Sequence, residues 1–552
     1  RNSAMPSVSA KDSRYEPIDV EQHRAELLAI IETVRQAPSF DVTILRHALR
    51  RNPRAGSGFF SKGQLLAAYR VLVAAGELPF ERETFNRLQT KPVRTQSGIA
   101  AVAVLTKPSG CPGRCIFCPD EAAMPRSYLS REPGAQRALR HGFDPFKQTQ
   151  NRLTALHNIG HPTDKIELLI LGGTWGAYSH VYGEWFIQRC LDAMNGSDSG
   201  TLAEAQQRNQ QARSRCVGLT IETRPDWITP EEILRLRRLG VTRVQLGVQS
   251  LDDRILALNQ RGHDVAATRL ACRLLRAAGF KLHVHWMPNL YGATPASDRD
   301  DFVRLWEDED LRPDDLKIYP TALLQGTVLH DLWQEGHYRP YDEADLVELL
   351  ADCKTQTPAY CRITRVVRDI PSDYIVQGSR ASNLREKVQE HLATSGRQCG
   401  CIRCREVGDT ALECSDLSLR VLRYETGAGL EHFLTLERSD GRLAGFLRLL
   451  LPWRDRAISR PSEVEGCALI RELHIYGPAL HIGAVGDRQA QHRGLGSELL
   501  IAAEGIAAEA GWAQLTVIAA LGTRDYYRRR GFGEGELYMH KPVEALPAAS
   551  TK

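Results

Sequence analysis

No stretch of the 552 residues approaches the roughly 18 consecutive apolar positions needed to cross a bilayer. Residues 1–10 carry no apolar core of a secretion signal. These absences lead to the expectation of a cytoplasmic chain that makes no use of a membrane. Charge of one sign is also scarce: 71 Lys and Arg against 67 Asp and Glu leave a net charge of +4, too little over this length to announce a nucleic-acid partner by bulk charge alone. There is no internal repeat and no low-complexity tract, which excludes solenoids and fibrous arrays. Support for disulfides is lacking too. Thirteen cysteines in a chain of this kind point to metal sites or buried thiols.

What is present describes an ordinary globular protein, 42% hydrophobic and 25% charged, too long for one core. Residues 1–18 are polar and are expected to form a disordered tail. Apolar spacing over 19–92 is helical (Leu27, Leu28, Ile31; Leu65, Leu66, Tyr69, Leu72), and the segment is locally basic, which predicts a small helical domain. Arg46, Arg50, Arg51, Arg54 and Lys62 are its candidates for RNA phosphate contacts, against a plain solvated helix face. From 93 to 327, β-type runs at 99–105, 166–171, 217–222, 241–248, 281–287 and 316–319 alternate with helical segments. That rhythm predicts a parallel α/β sheet, a partial (β/α)6 barrel with its site at the C-terminal ends of the strands. Residues 328–408 read as a connector, and 409–552 as a compact α+β unit with strands around a helix at 496–510.

Cys111-x3-Cys115-x2-Cys118 follows the first barrel strand, in a loop kept irregular by Pro108, Gly110, Pro112 and Gly113. Three thiolates in one loop fill all but one corner of a 4Fe–4S cubane and leave one iron for an amino-acid chelate. The spacing, with Phe117 before the last cysteine, resembles the radical-SAM superfamily; a three-cysteine zinc loop is the competing reading. Gly172, Gly173 and Thr174 follow the second strand, Glu222 and Arg224 the third, and Gln249 the fourth. Singly these are strand-end residues. On one rim they suit the binding of S-adenosylmethionine.

Near the C-terminus, Gln491-His492-Arg493-Gly494-Leu495-Gly496 opens a helix, where exposed backbone N–H groups favour a pyrophosphate. With Tyr526-Tyr527-Arg528-Arg529-Arg530-Gly531 it resembles the coenzyme A loop of GNAT acetyltransferases. That likeness implies Tyr527 beside the coenzyme sulfur as a proton donor, against a plain core tyrosine. Cys399-x-Cys401-x2-Cys404 suits three thiolates on one zinc, with His391, Cys361 or a remote histidine as fourth ligand, against three unliganded thiols.

The pairing of these two units, with Leu105-Thr106-Lys107-Pro108, Gly172-Gly173-Thr174-Trp175, Ile221-Glu222-Thr223-Arg224-Pro225-Asp226, Leu316-Lys317-Ile318-Tyr319-Pro320-Thr321 and Arg471-Glu472-Leu473-His474, resembles the Elongator catalytic subunit family, Elongator protein 3. The resemblance implies a tRNA-modifying enzyme that makes 5-carboxymethyluridine at the wobble position from acetyl-CoA and S-adenosylmethionine. A 5′-deoxyadenosyl radical would take hydrogen from the acetyl methyl. The resulting carbon radical would add to uridine carbon 5, and the thioester would then hydrolyse. It also implies roles for particular residues. Cys111, Cys115 and Cys118 would hold the cluster, and Lys317 and Tyr319 would position acetyl group or uracil. Lys165, Glu472, Leu473, His474, Ile475, Gln491, Gly494, Leu495, Gly496, Ser497 and Tyr527 would line the acetyl-CoA site. The partners implied are tRNA and an electron donor, with a homodimer possible. Many members, the eukaryotic ones especially, space the first two cysteines further apart, so accessory Elongator subunits are not implied. A protein lysine acetyltransferase and a non-enzymatic tRNA-binding scaffold are the competing functions.

Overall fold

The computed structural model describes residues 18–54, 58–90, 95, 97–408, 416–477 and 494–544, so the expected tail lies almost wholly outside it. Four helices, Arg24–Gln36, Val42–Arg51, Lys62–Ala74 and Arg82–Leu88, form the N-terminal unit. Asp41 caps the second by accepting from the Thr43 amide, and Ser61 and Gln64 cap the third reciprocally. Leu27, Ile30, Ile31, Leu65, Leu66 and Tyr69 are fully buried between the helices. The unit docks on the barrel: Arg70 donates to the His157 carbonyl at 2.7 Å, and Gln89 to the Gly160 carbonyl at 2.9 Å.

Seven parallel strands follow, each beside the next in chain order: β1 Ala100–Leu105, β2 Lys165–Leu171, β3 Arg215–Thr223, β4 Arg243–Gln249, β5 Lys281–Trp286, β6 Asp315–Ile318 and β7 Arg362–Arg365. The sequence predicts six. β7 reads Arg-Ile-Thr-Arg, with one apolar residue, and so offers no hydrophobic run to recognise. It falls within 328–408, where the helix Glu343–Gln356 makes the crossover from β6, so much of the expected connector completes the barrel.

The last unit is a second seven-stranded sheet, ordered β13-β14-β12-β11-β10-β9-β8. Its strands are β8 Leu417–Thr426, β9 Gly429–Arg438, β10 Leu443–Pro452, β11 Ala468–Ile475, β12 Gln514–Val517, β13 Gly533–Glu534 and β14 Met539–Pro542. The pairing β11·β12 is parallel and the others are antiparallel, and the helix Leu495–Glu509 packs on β9, β10 and β11. One continuous apolar core runs through barrel and sheet.

The join between them is ionic. Arg471 pairs with Asp314 and Glu431, and Arg448 with Asp314 at 3.4 Å and Glu472 at 2.9 Å. Glu472 also meets Arg243 at 3.5 Å and Lys281 at 3.7 Å. Arg243 and Lys281 open β4 and β5, and Asp314 precedes β6, so the second sheet covers the N-terminal end of the barrel. Regular alternation would send Arg471 and Glu472 to opposite faces. The register of β10 against β11 slips at this point, with Arg448 opposite Glu472 and Leu449 opposite Ile470, and this bulge lets both residues join the network.

Candidate functional site: a barrel lumen open to a cysteine loop

The cysteine loop leaves the C-terminal end of β1. Cys115 is buried, and the Arg261 guanidinium lies 3.1 Å from its sulfur. Cys111 Sγ lies 3.7 Å from Thr174 Oγ1 and accepts from the Gly113 amide at 3.4 Å. Burial and the neighbouring Cys115 push the Cys118 thiol up to about 11, so a thiolate there needs a cation to stabilise it. These three sulfurs do not draw within 4.8 Å of one another, whereas those of Cys399, Cys401 and Cys404 do. A single tetrahedral zinc sets sulfurs about 3.8 Å apart. The second triad fits one ion, and the first loop stands wider than one ion requires.

Around the rim, Gly172 has φ of 140°, and a β carbon on it would lie 1.8 Å from Thr106 Oγ1, so only glycine allows the ends of β1 and β2 to close here. Gly173 and Thr174 continue that turn beside Cys111. Glu222 accepts from the Tyr128 hydroxyl at 3.0 Å and lies 3.7 Å from His285. Arg224 is held in a two-point pair by Asp226, both contacts 2.9 Å. Gln249 ends β4 with φ of 73°, and its shielded amide oxygen has no hydrogen-bond partner among the described residues.

A cavity of about 1130 Å³ fills the lumen, from the three cysteines past Glu222 and Gln249 down to Glu167, Arg243 and Asp315. Lys317 projects into it and donates to Gln245 Oε1 at 2.5 Å; His285 meets the same oxygen at 3.1 Å. Tyr319 stands edge-on to His285, ring centres 5.6 Å apart. His283 bonds Thr364 at 2.9 Å. Burial, and then the Lys317 charge, keep both histidines well below their ordinary value, so they are neutral. His283, His285 and Gln245 are absent from the residues read off the sequence. The signal was two histidines at a spacing of two in an otherwise apolar strand, which puts both on one face.

In the second sheet, Glu472 faces the barrel. Burial alone would raise its carboxyl, but Lys281, Arg448 and Arg243 outweigh that and hold it below the carboxylate range. It is a fixed anion of the domain join. His474 bonds the Ser97 carbonyl at 2.8 Å and stacks on Phe446, and burial lowers it to about 4. Leu473 lies 3.7 Å from where a β carbon on Gly496 would sit, and Ile475 covers Gly445. Gly494, at φ of 84°, caps the helix containing Leu495, Gly496 and Ser497. Tyr526 lies over Gly496, with Arg530 3.5 Å above its ring and bonded to Ser497 at 3.0 Å. Tyr527 is buried between Tyr526 and Phe532, and burial raises its hydroxyl. Thus Tyr526, not singled out by the sequence, is the tyrosine against the glycine turn. Gln491 lies outside the described residues. Lys165 begins β2 at the barrel's N-terminal end, and burial lowers its amine.

Two of the candidate residues are engaged elsewhere. His391 is engaged with Glu348 at 2.5 Å and Arg397 at 3.0 Å, and does not join the Cys399 triad; Lys354 approaches Cys404 at 4.0 Å instead. Lys62 is not a free phosphate contact: its half-buried amine donates to the Arg87 carbonyl at 2.9 Å, beside Phe40. Arg46, Arg50 and Arg51 are exposed on the second helix and Arg54 half-exposed just beyond it.

A curled parallel sheet with a three-cysteine loop at its C-terminal rim defines a radical-SAM protein, here joined to an acetyltransferase-like sheet. The sequence profile of the Radical SAM superfamily matches residues 106–305, and that of the Radical_SAM C-terminal domain matches 313–394, which takes in β7. The chain is 44% identical over 455 residues to a protein of Dehalococcoides mccartyi named tRNA uridine(34) acetyltransferase, covering 82% of this chain and 99% of the relative. It is 36% identical over 490 residues to Elongator complex protein 3 of Drosophila melanogaster, covering 86% and 88%. Among solved structures, the archaeal Elp3 of Methanocaldococcus infernus superposes with a TM-score of 0.70 at 37% identity, covering 81% of this chain and 99% of the other. The chain belongs to the Elongator protein 3 family.

Proposed function

We propose that this chain installs a carboxymethyl group on carbon 5 of the tRNA wobble uridine, with acetyl-CoA as carbon donor and S-adenosylmethionine as radical source. The observation that supports this most is the continuous lumen, which joins the cysteine loop to the end of the barrel that the second sheet covers. A substrate carried on a coenzyme at one end and a base entering from the other could meet inside it. The relatives' printed names, tRNA uridine(34) acetyltransferase and Elongator complex protein 3, agree with a tRNA substrate.

In this reading Cys111, Cys115 and Cys118 hold a 4Fe–4S cluster, and the cluster with S-adenosylmethionine supplies one-electron chemistry for abstracting hydrogen from carbon. The partnerless amide oxygen of Gln249 and the backbone of Gly172 and Gly173 receive polar groups of S-adenosylmethionine, with Glu222, Arg224 and Thr174 beside them. Lys317, oriented by Gln245, and Tyr319 place a carbonyl oxygen of the acetyl group or of uracil. Leu495 and Gly496 offer backbone N–H groups to the coenzyme pyrophosphate beside Gly494 and Ser497, and Leu473, His474 and Ile475 give its arm an edge. Lys165 meets the thioester from the barrel side, and Tyr527 protonates the departing thiolate. Cys399, Cys401 and Cys404 hold a zinc ion that fixes the end of the barrel to the second sheet.

Replacing Cys115 by Ala should abolish formation of 5′-deoxyadenosine and of the modified nucleoside while leaving coenzyme A binding intact. Nucleoside mass analysis and calorimetry read the two effects. Full modification by that variant would refute the proposal.

A further inference from the structure

The lumen meets the cysteine loop from inside. A second concavity, about 770 Å³, meets the same loop from outside. Gly113, Arg224 and Arg261 line both spaces and form a wall one residue thick between them. That wall touches sulfur: Arg261 lies 3.1 Å from Cys115 Sγ, and a β carbon on Gly113 would lie 3.6 Å from Sγ of both Cys111 and Cys115. On the solvent side stand Arg114 and Gln260, both exposed, and Trp227, half-buried. The Arg224 charge is balanced by Asp226, so Arg114 and Arg261 leave the concavity positive.

Substrates occupy the lumen, so an electron for a centre on this loop has to arrive by another face. We propose that the concavity bordered by Arg114, Trp227 and Gln260 docks an acidic, flavodoxin-like electron carrier, an inference that rests on reading the cysteine loop as a cluster site. Electron-transfer encounters are small, transient and steered by opposite charge. Both Asp226 oxygens are taken by Arg224, so Arg114 is the exposed charge that an acidic carrier answers, and RNA is the competing occupant that the test separates. The step moves one electron: the anionic flavin hydroquinone becomes the neutral semiquinone and the loop's centre gains the electron. No bond forms or breaks and no proton moves.

The test uses cluster-reconstituted full-length protein mixed with flavodoxin hydroquinone, following loss of cluster absorbance by stopped flow. Arg114→Glu should slow the second-order rate about tenfold at low salt and flatten its salt dependence, with Arg114→Gln intermediate. Reduction by dithionite, which needs no docking surface, should change less than twofold. Oxidised flavodoxin should bind cluster-free wild type more tightly than cluster-free Arg114→Glu. Equal flavodoxin rates in wild type and both variants would overturn the docking site, as would a fall in tRNA affinity with the flavodoxin rate unchanged. Failure of the wild type to assemble a reducible cluster would instead overturn the reading of the cysteines on which this rests.

Discussion

Glu472 and His474 stand two residues apart on one strand, in one motif, and their surroundings assign them different work. Glu472, ringed by Arg448, Arg243 and Lys281, is an anion at any working pH and is no proton acceptor. His474 is neutral for the opposite reason, because burial removes the water its cation would need. It shares that state with His283 and His285. All three are depressed below 6.5, so their contribution to stability is complete above that value. It is lost as pH falls below 6.5, because the unfolded chain then binds protons the folded one does not. Between pH 6.5 and 5 the loss should be roughly 2 kcal/mol per histidine, read as a falling urea midpoint. His474→Phe should remove its share of that slope; an unchanged slope would mean that its imidazole is charged in the folded protein.

At the scale of elements, one bulge organises the join between the two sheets. It lets Arg471 and Glu472 act together, and Asp314 meets both Arg471 and Arg448 with no exposed surface of its own. Asp314→Asn should destabilise the protein by about 3–5 kcal/mol, since two buried guanidinium groups lose their shared anion. Chemical denaturation measures it, and a loss under 1 kcal/mol would make the network ornamental. The long apolar strands and the cysteine and glycine loops were legible in the sequence because a period of two and fixed spacings survive without a structure. β7 was not, because its four residues are held by the neighbouring strand and not by an apolar run of their own. Nor was the bulge, since a slip in register belongs to two strands at once. The lumen histidines lay between: their alternation was visible, but what they faced depended on how the sheet curls. The neighbouring tyrosines Tyr526 and Tyr527 differ only by which one the short helix Arg524–Arg528 turns toward Gly496.

Over the whole molecule, the basic N-terminal unit, the barrel and the second sheet are in contact, so a tRNA held by the first could present one base to the lumen. Splaying a base from its stack costs a few kcal/mol, which backbone contacts elsewhere must offset. Arg46, Arg50 and Arg51 are exposed, and in the proposed function they supply those contacts. Changing all three to Ala should weaken tRNA binding and reduce the slope of log affinity against log salt by about 2 to 3. An unchanged slope would return them to a solvated helix face. By contrast, Lys62→Ala should cost stability and leave the slope alone.

The central claim is that both halves of the chain act on one acetyl group. It is tested most directly with acetyl-CoA deuterated at the methyl carbon, incubated with reduced, cluster-loaded protein, S-adenosylmethionine and tRNA. The account predicts one deuterium in 5′-deoxyadenosine, two in a carboxymethyl group on uridine, and neither product labelled without tRNA. Unlabelled 5′-deoxyadenosine together with labelled acetyl-lysine on protein would contradict it.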